Sequence, residues 1–85
     1  MIISMGTVTT LDKMKAGEKV VVRDIRGGCG VRRRLGNLGI HLDDSIDVIR
    51  SGFLGGPLMV RVHSVEIGLG RGMAEKIQVE TEEEQ

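Results

Sequence analysis

Residues 27–40 read Gly27-Gly28-Cys29-Gly30-Val31-Arg32-Arg33-Arg34-Leu35-Gly36-Asn37-Leu38-Gly39-Ile40. Val31, Leu35 and Leu38 recur at i, i+4 and i+7, the spacing of one face of an α-helix. Arg32, Arg33 and Arg34 fall mostly on the other faces. The spacing predicts a helix over 31–38. Gly39 stands where such a helix needs a left-handed residue to stop, and glycine adopts that conformation without a Cβ penalty. With Gly39 in that role, Leu35 and Ile40 become the pair that makes the apolar contact of a Schellman stop. The chain on either side alternates like strands. The stretch is therefore expected to be one short amphipathic helix that plugs an end of a small β-structure. It also holds the only dense cluster of positive charge.

On the N-terminal side, residues 1–8 have no clear period and read as an extended arm. Thr10 is placed to cap a short turn at Leu11, with Asp12 in its first turn, where the helix dipole favours an acid. Leu11 and Met14 would pack down on the core, and Gly17 would end the turn. Residues 18–26 read as a strand in which Val20 and Val22 share a face. Ile25 is out of phase with them, so a bulge is expected near Asp24.

On the C-terminal side, 41–44 is a polar turn. Residues 45–53 form the next strand, with Ile46 and Val48 inward. Leu54-Gly55-Gly56-Pro57 reads as a hairpin loop. Leu58, Val60 and Val62 alternate inward against Met59, Arg61 and His63 outward. Val65, Ile67 and Leu69 repeat the pattern. Glycines 68, 70 and 72 frame a tight turn around Arg71, and residues 73–75 suggest a single helical turn. Residues 76–80 form the last strand, with Ile77 and Val79 inward. The expected fold is mainly β, with five short antiparallel strands closing as a small barrel and one or two short helices. The expected domain spans 9–80, after an arm over 1–8 and before an acidic tail over 81–85.

Eighty-five residues with a formal net charge of zero make one domain and argue against a non-specific nucleic-acid binder. Phe53 is the only aromatic residue, so modules that stack bases or grip proline-rich peptides on aromatics are disfavoured. Yet the charge is uneven. Lys19, Arg23, Arg26, Arg32, Arg33 and Arg34 face Asp24 alone in one stretch, while Glu80, Glu82, Glu83 and Glu84 gather at the end. Opposed charges of this kind suit docking of a protein partner or of a second copy of the chain. One cysteine makes no internal disulfide, no apolar run has the length of a membrane span, and the first residues lack the basic region of a signal peptide. A soluble, cytoplasmic protein is expected.

No spacing supports catalysis, so the chain is not expected to be an enzyme. The Gly27–Gly30 run lacks the lysine of a P-loop. Cys29, His41 and His63 are the available soft metal ligands, but no close pair has the spacing of a structural zinc site. No cofactor is expected, although those three residues leave room for a transition metal. Arginine pairs well with partner carboxylates, which makes the helix arginines the first interface candidates.

The order of motifs resembles the FeoA family of small proteins of ferrous iron transport. The resemblance is carried by Arg33-Arg34-Leu35-Gly36-Asn37-Leu38-Gly39-Ile40, by Ser45-Ile46-Asp47-Val48 and by Gly55-Gly56-Pro57-Leu58-Met59-Val60-Arg61-Val62. Val65-Glu66-Ile67-Gly68-Leu69-Gly70-Arg71 and Ala74-Glu75-Lys76-Ile77-Gln78-Val79 extend it over roughly 9–80. It implies an SH3-like barrel. It also implies a non-enzymatic accessory role and a partner, the membrane permease FeoB with its cytosolic GTP-binding domain. The surface expected to meet that partner comprises Arg32, Arg33, Gly55, Gly56 and Met59. The pattern is also similar to the C-terminal domain of iron- and manganese-dependent repressors, which makes a metal-responsive module the alternative. No helix-turn-helix precedes the domain here, which favours a free-standing protein.

Overall fold

The computed structural model describes residues 8–52 and 56–81. In chain order these form β1 (Val8–Thr10), a 3₁₀ turn (Leu11–Lys13), β2 (Lys19–Ile25), α1 (Gly28–Asn37), β3 (Ser45–Arg50), β4 (Leu58–Val62), β5 (Val65–Leu69), α2 (Arg71–Ala74) and β6 (Ile77–Thr81). The strands make a single antiparallel sheet in the order β1-β6-β2-β3-β4-β5. Side chains from β2 through β6 meet in one buried cluster with Leu11, Leu35, Ile40 and Ala74. A sheet whose distant strands share a core has to roll up, which gives the small SH3-like barrel. Val20, Val22, Ile46, Val60, Ile77 and Val79 point inward, as the period-two pattern requires.

The expected five strands become six. The additional one is β1, where Val8 pairs with Glu80 and Thr10 with Gln78. Three residues of mixed character carry no period of their own, so the edge of β6 specifies this strand. At the other end β6 runs on to Thr81, opposite Val20. The register of β2 against β6 shifts between Val22 and Asp24, the bulge that returns Ile25 to the core. A second shift, between Val48 and Arg50, bends β3 against β4.

The helix stops as its sequence demands. The Ile40 N–H donates to the Leu35 carbonyl at 2.9 Å and the Gly39 N–H to the Gly36 carbonyl at 2.9 Å, with Gly39 at φ +93°. These are the two bonds of the Schellman motif, and Leu35 and Ile40 are both fully buried. Leu38, expected on the buried face, is instead 43% exposed. The chain turns at Gly39, so Ile40 covers Leu35 and Leu38 is left on the outer side. The helix also starts earlier than expected, because Gly27 and Gly28 take left-handed φ of +102° and +86° and swing the chain into the first turn. A Cβ on Gly27 would stand 2.8 Å from Val31 Cγ2.

Three other expectations change. Thr10 precedes the 3₁₀ turn in extended conformation, but its side chain makes no capping bond. Val65, expected inward, is 57% exposed, because it is the first residue of an edge strand beside a turn. Arg71 begins α2 and ties distant segments together. Its Nη1 donates to the Asp12 carbonyl at 2.7 Å and its Nη2 to the Gly52 carbonyl at 3.1 Å. Phe53, expected to end the strand over 45–53, and Leu54 and Gly55 of the expected hairpin loop lie outside the described residues.

The two ends of the Gly27–Gly30 run should respond oppositely to alanine. Gly30 is helical with open space around it, so Gly30→Ala is expected to stabilise by about 0.5–1 kcal/mol. Gly27→Ala meets both the left-handed backbone and Val31, and is expected to cost about 2 kcal/mol. Urea unfolding at unchanged m-value measures both.

Candidate functional site

The C-terminal end of α1 opens onto an uncovered depression of about 340 Å³. It is lined by Ile25 from the end of β2, Arg32 from α1, and Ile40, His41 and Leu42 from the following loop. Ile25 and Ile40 belong to the core, so its floor is the top of the barrel's own packing. Leu42 is 47% exposed, and with Leu38 it gives this end of the molecule two solvent-facing leucines. The sequence reading passed over Leu42 because it sits in a polar turn. The available signal was a leucine two residues beyond the Ile40 that closes the helix.

The rim is basic. Arg32 Nη2 lies 3.4 Å from Asp24 Oδ1, with both side chains about half exposed at 51% and 48%, so water largely screens that pair. The Arg33 and Arg34 side chains are exposed and have no hydrogen-bond or ion-pair partner among the described residues. Arg26, at the end of β2, uses its backbone N–H on the Lys76 carbonyl but pairs its side chain with no described residue.

The loop that carries His41 and Leu42 is fixed from several sides. The Asp43 N–H donates to the Val22 carbonyl at 2.8 Å, and the Val22 N–H donates to the Asp44 carbonyl at 2.9 Å. Arg23 reaches Asp43 at 3.3 Å and Glu80 at 2.7 Å, and the Glu80 bond is the main reason its guanidinium holds its proton more firmly than usual. Asp44 is the centre. Its Oδ2 accepts the His41 N–H at 2.7 Å and lies 3.4 Å from His41 Nδ1, while its Oδ1 lies 3.1 Å from His63 Nε2. His63 and Ser64 both have positive φ, +52° and +69°, as a type I′ hairpin turn requires. Non-glycine residues there cost on the order of 1 kcal/mol each, and this strained turn brings His63 to Asp44. The His41 ring also lies along α1, where a Cβ on Gly36 would stand 3.4 Å from Nε2.

The sequence candidates therefore separate. Arg32 lines the depression and Arg33 follows it on α1. Met59 is 37% exposed on β4, with β3 between it and β2, and lines no part of the depression. Gly56 lies near the start of β4, and Gly55 lies outside the described residues. Of the three soft metal ligands, His41 and His63 meet on Asp44. Cys29 is exposed in the first turn of α1, at the opposite end of the helix from His41. No group of three or more His, Cys, Asp or Glu side chains among the described residues is arranged to hold a metal ion.

Burial opposes the charge on Asp44, but the backbone N–H of His41 and the His63 ring outweigh it and hold the carboxyl below the usual range. A carboxylate whose folded pKa is depressed stabilises the fold above its unfolded pKa of 3.8, and that contribution disappears as pH falls through the lower folded value. Asp44→Asn keeps the shape and one acceptor but loses the charge. It is expected to cost about 1–2 kcal/mol at pH 7. The gap from wild type should narrow steadily below about pH 4, measured by urea unfolding across pH.

The depression, its basic rim and the small rolled sheet can be set beside known proteins. The model of the FeoA domain matches residues 9–81. A protein of Methanocaldococcus jannaschii assigned the name Fe(2+) transport protein A is 41% identical over 69 residues, which is 81% of this chain and 82% of that one. A crystal structure of the iron uptake regulatory protein FeoA superposes with a TM-score of 0.83 at 30% identity, covering 89% of this chain and 99% of the other. A manganese-dependent transcriptional repressor shares the fold at a TM-score of 0.82 and 22% identity. There 94% of this chain matches 45% of a longer one. Family model and relatives agree over nearly the whole length: the chain belongs to the FeoA family of ferrous iron transport proteins.

Proposed function

We propose that this chain is a non-enzymatic accessory subunit of ferrous iron uptake that docks on the cytosolic part of a FeoB-type permease. The observation that carries the reading is the end of α1. An apolar depression, two exposed leucines and arginines without described carboxylate partners lie together on one helix and the loop that follows it. Buried apolar anchors ringed by arginine are the usual composition of a protein interface. Membership of a transport family makes the permease the natural partner, and among the described residues no helix is long and apolar enough to cross a membrane. Met59 on β4 and Gly56 just before that strand belong to the proposed surface only if the partner is broad enough to reach across β3, and Gly55, proposed with them, lies outside the described residues.

The metal-responsive reading has less support. The repressor likeness is one of fold, and the two histidines brought together here are engaged with one carboxylate. A cofactor role for a transition metal would need those contacts to rearrange.

The docking reading is tested by titrating the chain with the purified cytosolic region of the permease. Arg32→Glu combined with Arg33→Glu should weaken binding about tenfold or more, or about 1.4 kcal/mol. Unchanged binding would remove the arginines from the interface. Met59→Glu, run in parallel, reports whether the surface extends across β3.

A further inference from the structure

We infer that the depression at the end of α1 receives one large apolar side chain from an acidic partner segment, whose flanking carboxylates pair with Arg32 and Arg33. This inference rests on the docking reading and specifies the chemistry of what docks. Size and lining come first. A concavity of about 340 Å³ walled by Ile25, Ile40 and Leu42 offers an apolar side chain dispersion contacts on several sides, which a flat patch does not. The floor residues are held by the core, and the wall is held by His41, whose ring lies between Gly36 and Asp44. The site is thus formed before binding, and little conformational freedom is lost on occupation.

Charge then selects the segment. Arg32 lines the depression, Arg33 and Arg34 follow it on α1, and the nearby acids are already engaged: Asp24 on Arg32, Asp43 on Arg23, and Asp44 on both histidines. A segment carrying lysine beside its apolar residue would meet uncompensated repulsion. One carrying glutamate or aspartate would meet guanidinium groups able to bind a carboxylate through two parallel bonds. Nucleic acid is disfavoured as the source of the negative charge, because the depression is largely apolar and no phenylalanine, tyrosine or tryptophan lines it for stacking.

The test uses the full chain with labelled isoleucine and leucine methyl groups. It is titrated with a blocked peptide of alternating glutamate and leucine, and separately with a matched lysine–leucine peptide. The glutamate peptide should shift the methyls of Ile25, Ile40 and Leu42, with an affinity that falls as salt rises. Arg32→Glu should weaken that affinity about tenfold, Arg32→Lys should restore part of it, and Leu42→Ala should weaken it about threefold. Leu42 and Arg32 are exposed side chains, so these variants keep the fold. Equal shifts with both peptides, or shifts confined to other methyls, would overturn the inference. Movement of the same methyls on dilution of the chain alone would also overturn it, by making a second copy the occupant. If the glutamate peptide fails while the permease region still moves these methyls, the docking reading stands and the acidic–apolar assignment is wrong. If both fail, the docking reading falls with it.

Discussion

A single backbone hydrogen bond, from Ile40 N–H to the Leu35 carbonyl, sets where the rest of the molecule can be. It closes α1, and it requires Gly39 to turn left-handed. In doing so it drops two fully buried side chains, Leu35 and Ile40, into the same core as the strands. The helix is short and contains glycine at Gly30 and Gly36, so its intrinsic stability is low. It exists because its end is anchored. Once Ile40 is fixed, the next residues can only run across the end of β2, and that places His41 and Leu42 on the wall of the depression.

Polar contacts then convert this anchored chain into a defined surface. The exchange between Val22 and residues 43–44 extends the β2 pairing into the loop. The strained hairpin turn at His63 and Ser64 brings a histidine from β4–β5 to the same Asp44 that holds His41. Two segments far apart in sequence thus brace the loop beside the depression. Arg33 and Arg34 of α1 have no carboxylate partner among the described residues, and Arg32 shares with Asp24 only an exposed pair that water screens. Apolar anchoring supplies position, and the positive charge left beside it is the basis of the proposed selectivity for an acidic partner.

Much of this was legible in the sequence, for reasons that are local. The Schellman stop needs one glycine and two apolar residues at fixed spacing, so residues 35–40 announced it. Strand faces followed from alternation at Leu58, Val60 and Val62, and the bulge followed from Ile25 being out of step. What was not legible depends on partners distant in the chain. Strand β1 exists through its pairing with β6, and the role of Arg71 depends on carbonyls at Asp12 and Gly52. The meeting of His41 and His63 on Asp44 is likewise invisible to spacing, and its geometry separates both from Cys29. Leu38 misled because periodicity assumes that a helix continues, and here the chain turns at the next residue.

The central claim, that the anchored end of α1 belongs to the cooperative core, is tested most directly by native-state hydrogen exchange at the Ile40 amide. The account predicts that this amide exchanges only through global unfolding, with the same opening free energy as the Val22 and Val79 amides of the central strands. Exchange at Ile40 through a local opening, orders of magnitude faster than those strands, would show that the helix end frays independently and that the depression is not a preformed site.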